Sequence, residues 1–331
     1  MKIMGDIYGI HHVTAIAANP QRNVNFYTSV LGLRLVKLTV NFDDPTTYHL
    51  YFGDELGRPG TILTFFPWSE APKGYRGTGQ VITTSFLIPQ KSIDYWKNRL
   101  KNNNVTVKGP FNRFDEQALT IYDPDGLELE LVAHSSAKQR DVNVWNYGGI
   151  PFKHAIRGFY SVALSEEGFE RTADVLKEEL GFSLIGQEKS RFRYKVKNSE
   201  TGASIVDVLC LPYTPSGYIG AGSVHHVAFR TPTDEKQKIL RSNIIKAGLN
   251  ATPIIDRVYF HSVYFREPGG VLFEIATDPP GFTTDQELSE LGTRLMLPEW
   301  LEPDRKNLEK ILPGIRLPHP IAESGVRKNN E

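Results

Sequence analysis

Two pairs of adjacent histidines and one carboxylate are the residues best suited to chemistry in this chain. The pairs read Gly-Ile-His-His-Val-Thr at Gly9 to Thr14 and Ser-Val-His-His-Val-Ala at Ser223 to Ala228, each on a predicted strand after a small residue. The carboxylate is Glu274 in Val-Leu-Phe-Glu-Ile-Ala, alternating with Leu272 and Ala276. A carboxylate in such a run needs a cation or a hydrogen-bonded partner to offset its desolvation. Neighbours on a strand point to opposite faces, so one histidine of each pair faces the interior and only one per pair can bind a metal. Two imidazoles and a carboxylate on one face make a facial triad with open positions for substrate and dioxygen, the arrangement of non-haem Fe(II). Zinc or nickel could replace iron in purified protein, because divalent affinity favours them. The unpaired His49, His134, His154, His261 and His319 read as hydrogen-bonded core or surface residues.

The elements that must position these groups are repeated. GYRGTGQV at Gly74 to Val81 recurs as GYIGAGSV at Gly217 to Val224. Each copy is followed by a helix-like stretch and then by a turn and strand, DPDGLELELV from Asp123 and EPGGVLFEIA from Glu267. The stretches before the two links share a second pattern of strand, amphipathic helix, Leu31-Gly32-Leu33 or Leu180-Gly181-Phe182, then three strands with period-two alternation. The expected fold is therefore α+β, built from four βαβββ modules at residues 9–68, 80–134, 155–212 and 223–277. The first two modules fall in one half, residues 1–145, and the last two in another, residues 146–277. Residues 278–331 form a C-terminal extension that wraps the domain, covers a site or completes a dimer contact. The place of Glu274 in module four is taken by Thr64, Glu130 and Asp207 in modules one, two and three.

Length and composition bound the function. A chain of 331 residues exceeds one ordinary core, and 38 basic residues balance 38 acidic ones, so nothing asks for nucleic acid or an anionic membrane. The single cysteine, Cys210, excludes an internal disulfide and a cysteine-based zinc site. No stretch approaches ~18 apolar residues and the N-terminus has no apolar signal region, so a cytoplasmic location is expected. Homo-oligomerisation stays open.

With these motifs the chain resembles the vicinal oxygen chelate superfamily of glyoxalase I, bleomycin-resistance proteins and extradiol dioxygenases, and within it the hydroquinone-cleaving dioxygenases. The likeness is carried by HHVT, VNFDDPTTYHLYFGDELGRPGT from Val40, HHVAF from His225, DRVYFHSVYFREPGGVLFE from Asp256 and GFTTDQ from Gly281. It implies Fe(II) held by His12, His226 and Glu274, with His11, His225, Arg257 and Tyr264 around a small aromatic substrate. It implies ring opening of a hydroquinone (a para-diol) with both atoms of dioxygen incorporated, a reaction of aromatic catabolism. Thr14 and Ala228, two residues after the ligands on the same strand faces, would leave room for the ring.

The ligands' distribution also dictates how modules pair. His12 and Glu274 must converge on one metal, so module one shares a half-open mixed-sheet barrel with module four, and module two with module three. In the second barrel the His226 position becomes Thr83 in module two and Tyr160 in module three, so Glu130 and Asp207 mark a decayed duplicate site. Two other functions compete. A glyoxalase-like isomerase or thiol transferase would want a fourth protein ligand where Thr64 stands. A non-enzymatic binder of small aromatics would have no need of the metal ligands.

Overall fold

The computed structural model describes residues 6–140, 143–197 and 202–318; His319 and the rest of the chain's end lie outside them. Module one comprises β1 (Ile10–Ala17), α1 (Pro20–Asn25), β2 (Arg34–Asn41), β3 (Asp44–Gly53) and β4 (Ile62–Pro67). Module two comprises β5 (Gln80–Pro89), α2 (Ile93–Asn102), β6 (Val107–Arg113), β7 (Glu116–Tyr122) and β8 (Glu128–His134). Module three has β9 (Phe159–Glu166), α3 (Glu170–Asp174), β10 (Phe182–Glu188), β11 (Arg191–Val196) and β12 (Ile205–Cys210). Module four has β13 (Ser223–Thr231), α4 (Asp234–Lys246), a two-residue β14 (Ile255–Asp256), β15 (Phe260–Arg266) and β16 (Leu272–Pro280). Local chemistry sets the helix ends. The Asn19 side chain accepts from Arg22 N at the start of α1, and Pro20 begins the helix where its missing N–H costs nothing.

The strands form two eight-stranded mixed sheets. One runs β14-β15-β16-β13-β1-β4-β3-β2 and the other β10-β11-β12-β9-β5-β8-β7-β6. Module one thus joins module four, and module two joins module three, as the ligand distribution requires. In each sheet the first strands of the two modules pair antiparallel at the centre, β1 with β13 and β5 with β9. Each first strand also pairs parallel with the last strand of its own module. The repeated glycine links meet each other through a Tyr75–Tyr218 bridge. A Cβ on Gly77 would lie 2.2 Å from the Pro215 carbonyl, and one on Gly220 2.3 Å from that of Pro72. Only glycine allows the two backbones so close, which is why both links carry the motif.

The extension resolves one of the alternatives left by the sequence: it wraps module one. Lys37 on β2 is fully buried, and its ammonium reaches the Phe282 carbonyl (3.0 Å), Asp285 (2.6 Å) and Gln286 (3.0 Å). Arg34 donates to the Leu288 carbonyl at 2.7 Å, and Trp300 packs on Phe42 with ring centroids 5.7 Å apart. Among the described residues no helix is long and apolar enough to cross a membrane.

Glu166, at the end of β9, is buried, and among the described residues neither of its carboxylate oxygens has a hydrogen-bond partner. Burial, and then the nearby Glu267, push its pKa up to about 8. The folded protein therefore holds a proton that the unfolded chain releases near the ordinary value of 4.5. Stability from this group is complete below that value and is lost as pH rises through about 8, a swing of at most about 5 kcal/mol. Glu166→Gln should flatten the pH dependence of the denaturation midpoint between these limits and raise the midpoint on the alkaline side. An unchanged slope would contradict the assignment.

Candidate metal centre

The central strand pairs bring three distant residues together. β1 sets His12 opposite Ala228 and Thr14 opposite His226 on β13. β13 sets Ala228 beside Glu274 on β16, and β15 sets Tyr264 on Glu274's other side. Glu274 Oε2 lies 3.2 Å from His12 Nε2 and 3.0 Å from His226 Nε2, and the two Nε2 atoms are 3.4 Å apart. Ser262 donates to Oε1 at 2.5 Å. His12, His226 and Glu274 are buried, and among the described residues theirs is the one group of three able to hold a metal ion.

The pairs of histidines do not simply alternate. Pairing of β1 with β13 shifts register between Ile10 and His12 and again between Thr14 and Ala15, so His11 and His225 are the unmatched residues of two β-bulges. A bulge re-aims its extra side chain. The expectation that the histidine of each pair that is not a ligand faces away is therefore corrected at His225, which lines the same cavity as His226. His11 packs behind His12 against Phe260, with ring centroids 5.1 Å apart, and is not in that cavity wall. The Nδ1 atoms of His11 and His12 are 2.9 Å apart, those of His225 and His226 2.7 Å. When His12 and His226 donate through Nδ1, their Nε2 lone pairs converge with Glu274 Oε2, which has no hydrogen-bond partner of its own. Three converging acceptors suit a cation, and the paired histidines fix the tautomer that offers them.

Electrostatics agree with this reading. Burial pushes the Glu274 carboxyl up, but the charge and hydrogen bonding of His12 and His226 outweigh it and hold it well below the carboxylate range. Burial holds His225 down at about 3, helped by the neighbouring His226, and burial likewise depresses His11 and His226. His11 and His225 are thus neutral at ordinary pH.

Beside the centre opens a cavity of about 410 Å³. Phe66, Trp68, Phe260 and Leu272 supply an apolar wall, with Phe42 also in the lining. Arg257 and Tyr264 line it as the sequence leads one to expect; Arg257 pairs with Asp43 at 2.9 Å and stands 5.5 Å from the centre of the Tyr264 ring. Thr14 and Ala228 are fully buried and lie outside the cavity lining. Phe66 of β4 and Phe260 and Tyr264 of β15 bound that space. His49, read from sequence as an ordinary histidine, is also in the wall. Thr64 donates to Thr14 at 2.8 Å, so His49 Nε2 donates to Thr64 (2.8 Å) and His49 Nδ1 accepts from the Tyr51 hydroxyl (2.8 Å). Both its nitrogens are engaged, and Thr64 offers no carboxylate as a fourth ligand. Only the β3–β4 register, which sets Tyr51 opposite Thr64, brings these groups together, and no motif announces it.

The second sheet shows the same positions without the centre. β12 sets Asp207 beside Ala163 as β16 sets Glu274 beside Ala228, so the counterpart of His226 is Ser161. This corrects the expectation of Tyr160, which is the unmatched bulge residue and the counterpart of His225. Guanidinium groups compensate the carboxylates here. Arg193 bonds Asp207 (2.8 and 2.9 Å) and Glu116 (2.7 and 3.0 Å), Arg191 bonds Asp207 at 2.8 Å, and Arg113 bonds Glu116 (2.6 Å) and Glu130 (2.8 Å).

Comparison with known proteins agrees with this architecture. The model of the Glyoxalase/Bleomycin resistance protein/Dioxygenase superfamily matches residues 9–131 and 154–275. MhqO of Bacillus subtilis (strain 168), provisionally named a ring-cleaving dioxygenase, is 46% identical over 304 residues, covering 91% of this chain and 95% of that protein. Chlorohydroquinone/hydroquinone 1,2-dioxygenase of Sphingobium indicum is 33% identical, with 91% and 95% covered. A crystal structure from Bacillus subtilis, of a protein provisionally named a dioxygenase, superposes with a TM-score of 0.89 at 44% identity, covering 94% of this chain and 98% of that one. The chain therefore belongs to the Glyoxalase/Bleomycin resistance protein/Dioxygenase superfamily and, within it, to the ring-cleaving dioxygenases.

Proposed function

We propose that the protein is a non-haem Fe(II) dioxygenase that opens the ring of hydroquinone-type para-diols. The observation that carries this reading is the meeting of His12, His226 and Glu274, with no fourth ligand among the described residues, at an aromatic-walled cavity. Ferrous iron held there would supply the redox chemistry and adjacent open positions for a substrate hydroxyl and dioxygen. The chain's own groups do the rest. His225, beside the cavity, accepts from His226 at Nδ1, so its Nε2–H donates toward an oxygen of an entering hydroquinone. Tyr264 and Arg257 donate toward negative charge that develops on oxygen. Phe66, Trp68 and Phe260 sandwich the ring and exclude water. The name of the Sphingobium indicum relative supports the substrate class.

His225→Phe should lower turnover by about 10- to 100-fold while metal stoichiometry stays at the wild-type level, because the residue orients a ligand rather than being one. Steady-state rates read beside metal analysis check this; full activity would remove His225 from the reaction. The function itself is tested by reconstituting the protein with Fe(II) without air and following oxygen uptake. Hydroquinone should drive uptake. A protein that consumes no oxygen but isomerises a hemithioacetal would overturn the reading.

A further inference from the structure

The second sheet keeps a cavity at the place equivalent to the reaction cavity. Its volume is about 330 Å³, and its lining includes Tyr160, Arg193, Ile205 and His134. By strand register these are the counterparts of His225, Tyr264, Leu272 and Trp68 in the metal-bearing sheet. The metal ligands are gone, but a binding space remains with a different charge.

That charge can be counted. The carboxylates of Glu116, Glu130 and Asp207 are matched by the guanidinium groups of Arg113, Arg191 and Arg193. Two further cations line the cavity, Arg140 and Lys195, against one further carboxylate, Asp115, which is bound to His134 at 3.0 Å. Arg140 makes no ion pair among the described residues. Its Nη1 donates to the carbonyls of Phe159 (2.7 Å) and Arg157 (3.4 Å), and burial pulls its pKa down to about 10. A partly buried guanidinium with no carboxylate partner among the described residues is costly unless an anion reaches it. Among the described residues the cavity lining thus carries one cation more than the carboxylates that face it, which favours a monoanion over a dianion. Ser136 and Ser204 add hydroxyls, while Phe114 and Tyr160 add ring surface.

We propose that this second cavity is a binding site for a small organic monocarboxylate with a flat, unsaturated body, its carboxylate on Arg140 and Lys195. The site is separate from the metal centre and does not depend on the reaction proposed for it. Benzoate is the probe, titrated calorimetrically into the metal-loaded full-length protein, with inorganic phosphate as the comparison anion. Benzoate should bind, Arg140→Gln should weaken it by about tenfold or more through loss of a bidentate charge-assisted contact, and His226→Ala should leave its affinity unchanged. Arg140 also holds two backbone carbonyls, so its variant could unfold. Lys195 is exposed, and Lys195→Glu should weaken benzoate without that risk. Absence of benzoate binding at millimolar concentration, equal affinity in Lys195→Glu, loss of binding in His226→Ala, or tighter binding of phosphate than of benzoate would each overturn the proposal.

Discussion

Replacement of Glu274, His12 or His226 by alanine should leave a folded protein that carries no stoichiometric divalent metal and has ring-cleaving activity at background. Each residue supplies one of three lone pairs that meet within 4.8 Å, and two remaining ligands cannot fix the geometry that keeps adjacent positions open. The fold should survive. Glu274 is fully buried and receives one well-formed hydrogen bond, from Ser262, so its removal takes a desolvated carboxylate out of the sheet rather than breaking a network. His49→Ala is the control. It lines the same cavity, but its two nitrogens are engaged by Thr64 and Tyr51, and metal content should remain at the wild-type value. Metal analysis and circular dichroism on the four variants check both halves of this expectation. Normal iron content in Glu274→Ala would show that the site is drawn wrongly.

The largest loss of stability should come from the other sheet. Arg193→Met leaves Glu116 and Asp207, both essentially inaccessible to solvent, short of their shared guanidinium. Removing one partner from a buried ionic network typically costs about 3–5 kcal/mol. Arg113 still reaches Glu116, and Arg191 still reaches Asp207, so the lower end of that range is expected. Burial works against ionisation of Glu116 and Asp207, but Arg193 and the neighbouring guanidinium groups outweigh it and hold both carboxyls below their ordinary values. Their contribution is therefore present at neutral pH and is lost as pH falls through those depressed values. The urea midpoint of Arg193→Met should drop steeply at pH 7 and approach that of wild type in acid. Metal content should not change, because the network touches none of the three metal-site residues. A midpoint equal to wild type at neutral pH would mean that the guanidinium groups are not what compensates the buried carboxylates of this sheet.

The sequence made the modules legible because period-two alternation and the paired glycine links survive duplication. It made the pairing of modules legible because ligands at the two ends of the chain had to meet. What it concealed is tied to single-residue events. A β-bulge adds one residue without any composition signal, and at His225 it turns into the cavity a side chain that alternation had placed outside. In β9 no His-His motif remains to set the alignment, and the expected counterpart of His226 fell one residue early, on Tyr160 instead of Ser161. His49 was hidden for another reason. Its surroundings depend on Thr64 and Tyr51 across two strand pairings, and a lone histidine on a strand looks alike with or without them. The path of the extension was concealed too, since Lys37 reads as an exposed lysine until Asp285 and Gln286 close over it.

The central claim is that the three-residue centre directs both atoms of dioxygen into an opened para-diol ring. Isotopically labelled dioxygen, supplied to the Fe(II)-loaded protein with hydroquinone and followed by mass analysis of the ring-opened product, tests it most directly. Two labelled oxygen atoms per product molecule at early times, and no such product from the Glu274→Ala protein, is the predicted result; oxidation of hydroquinone to quinone without label, or no reaction at all, would contradict it.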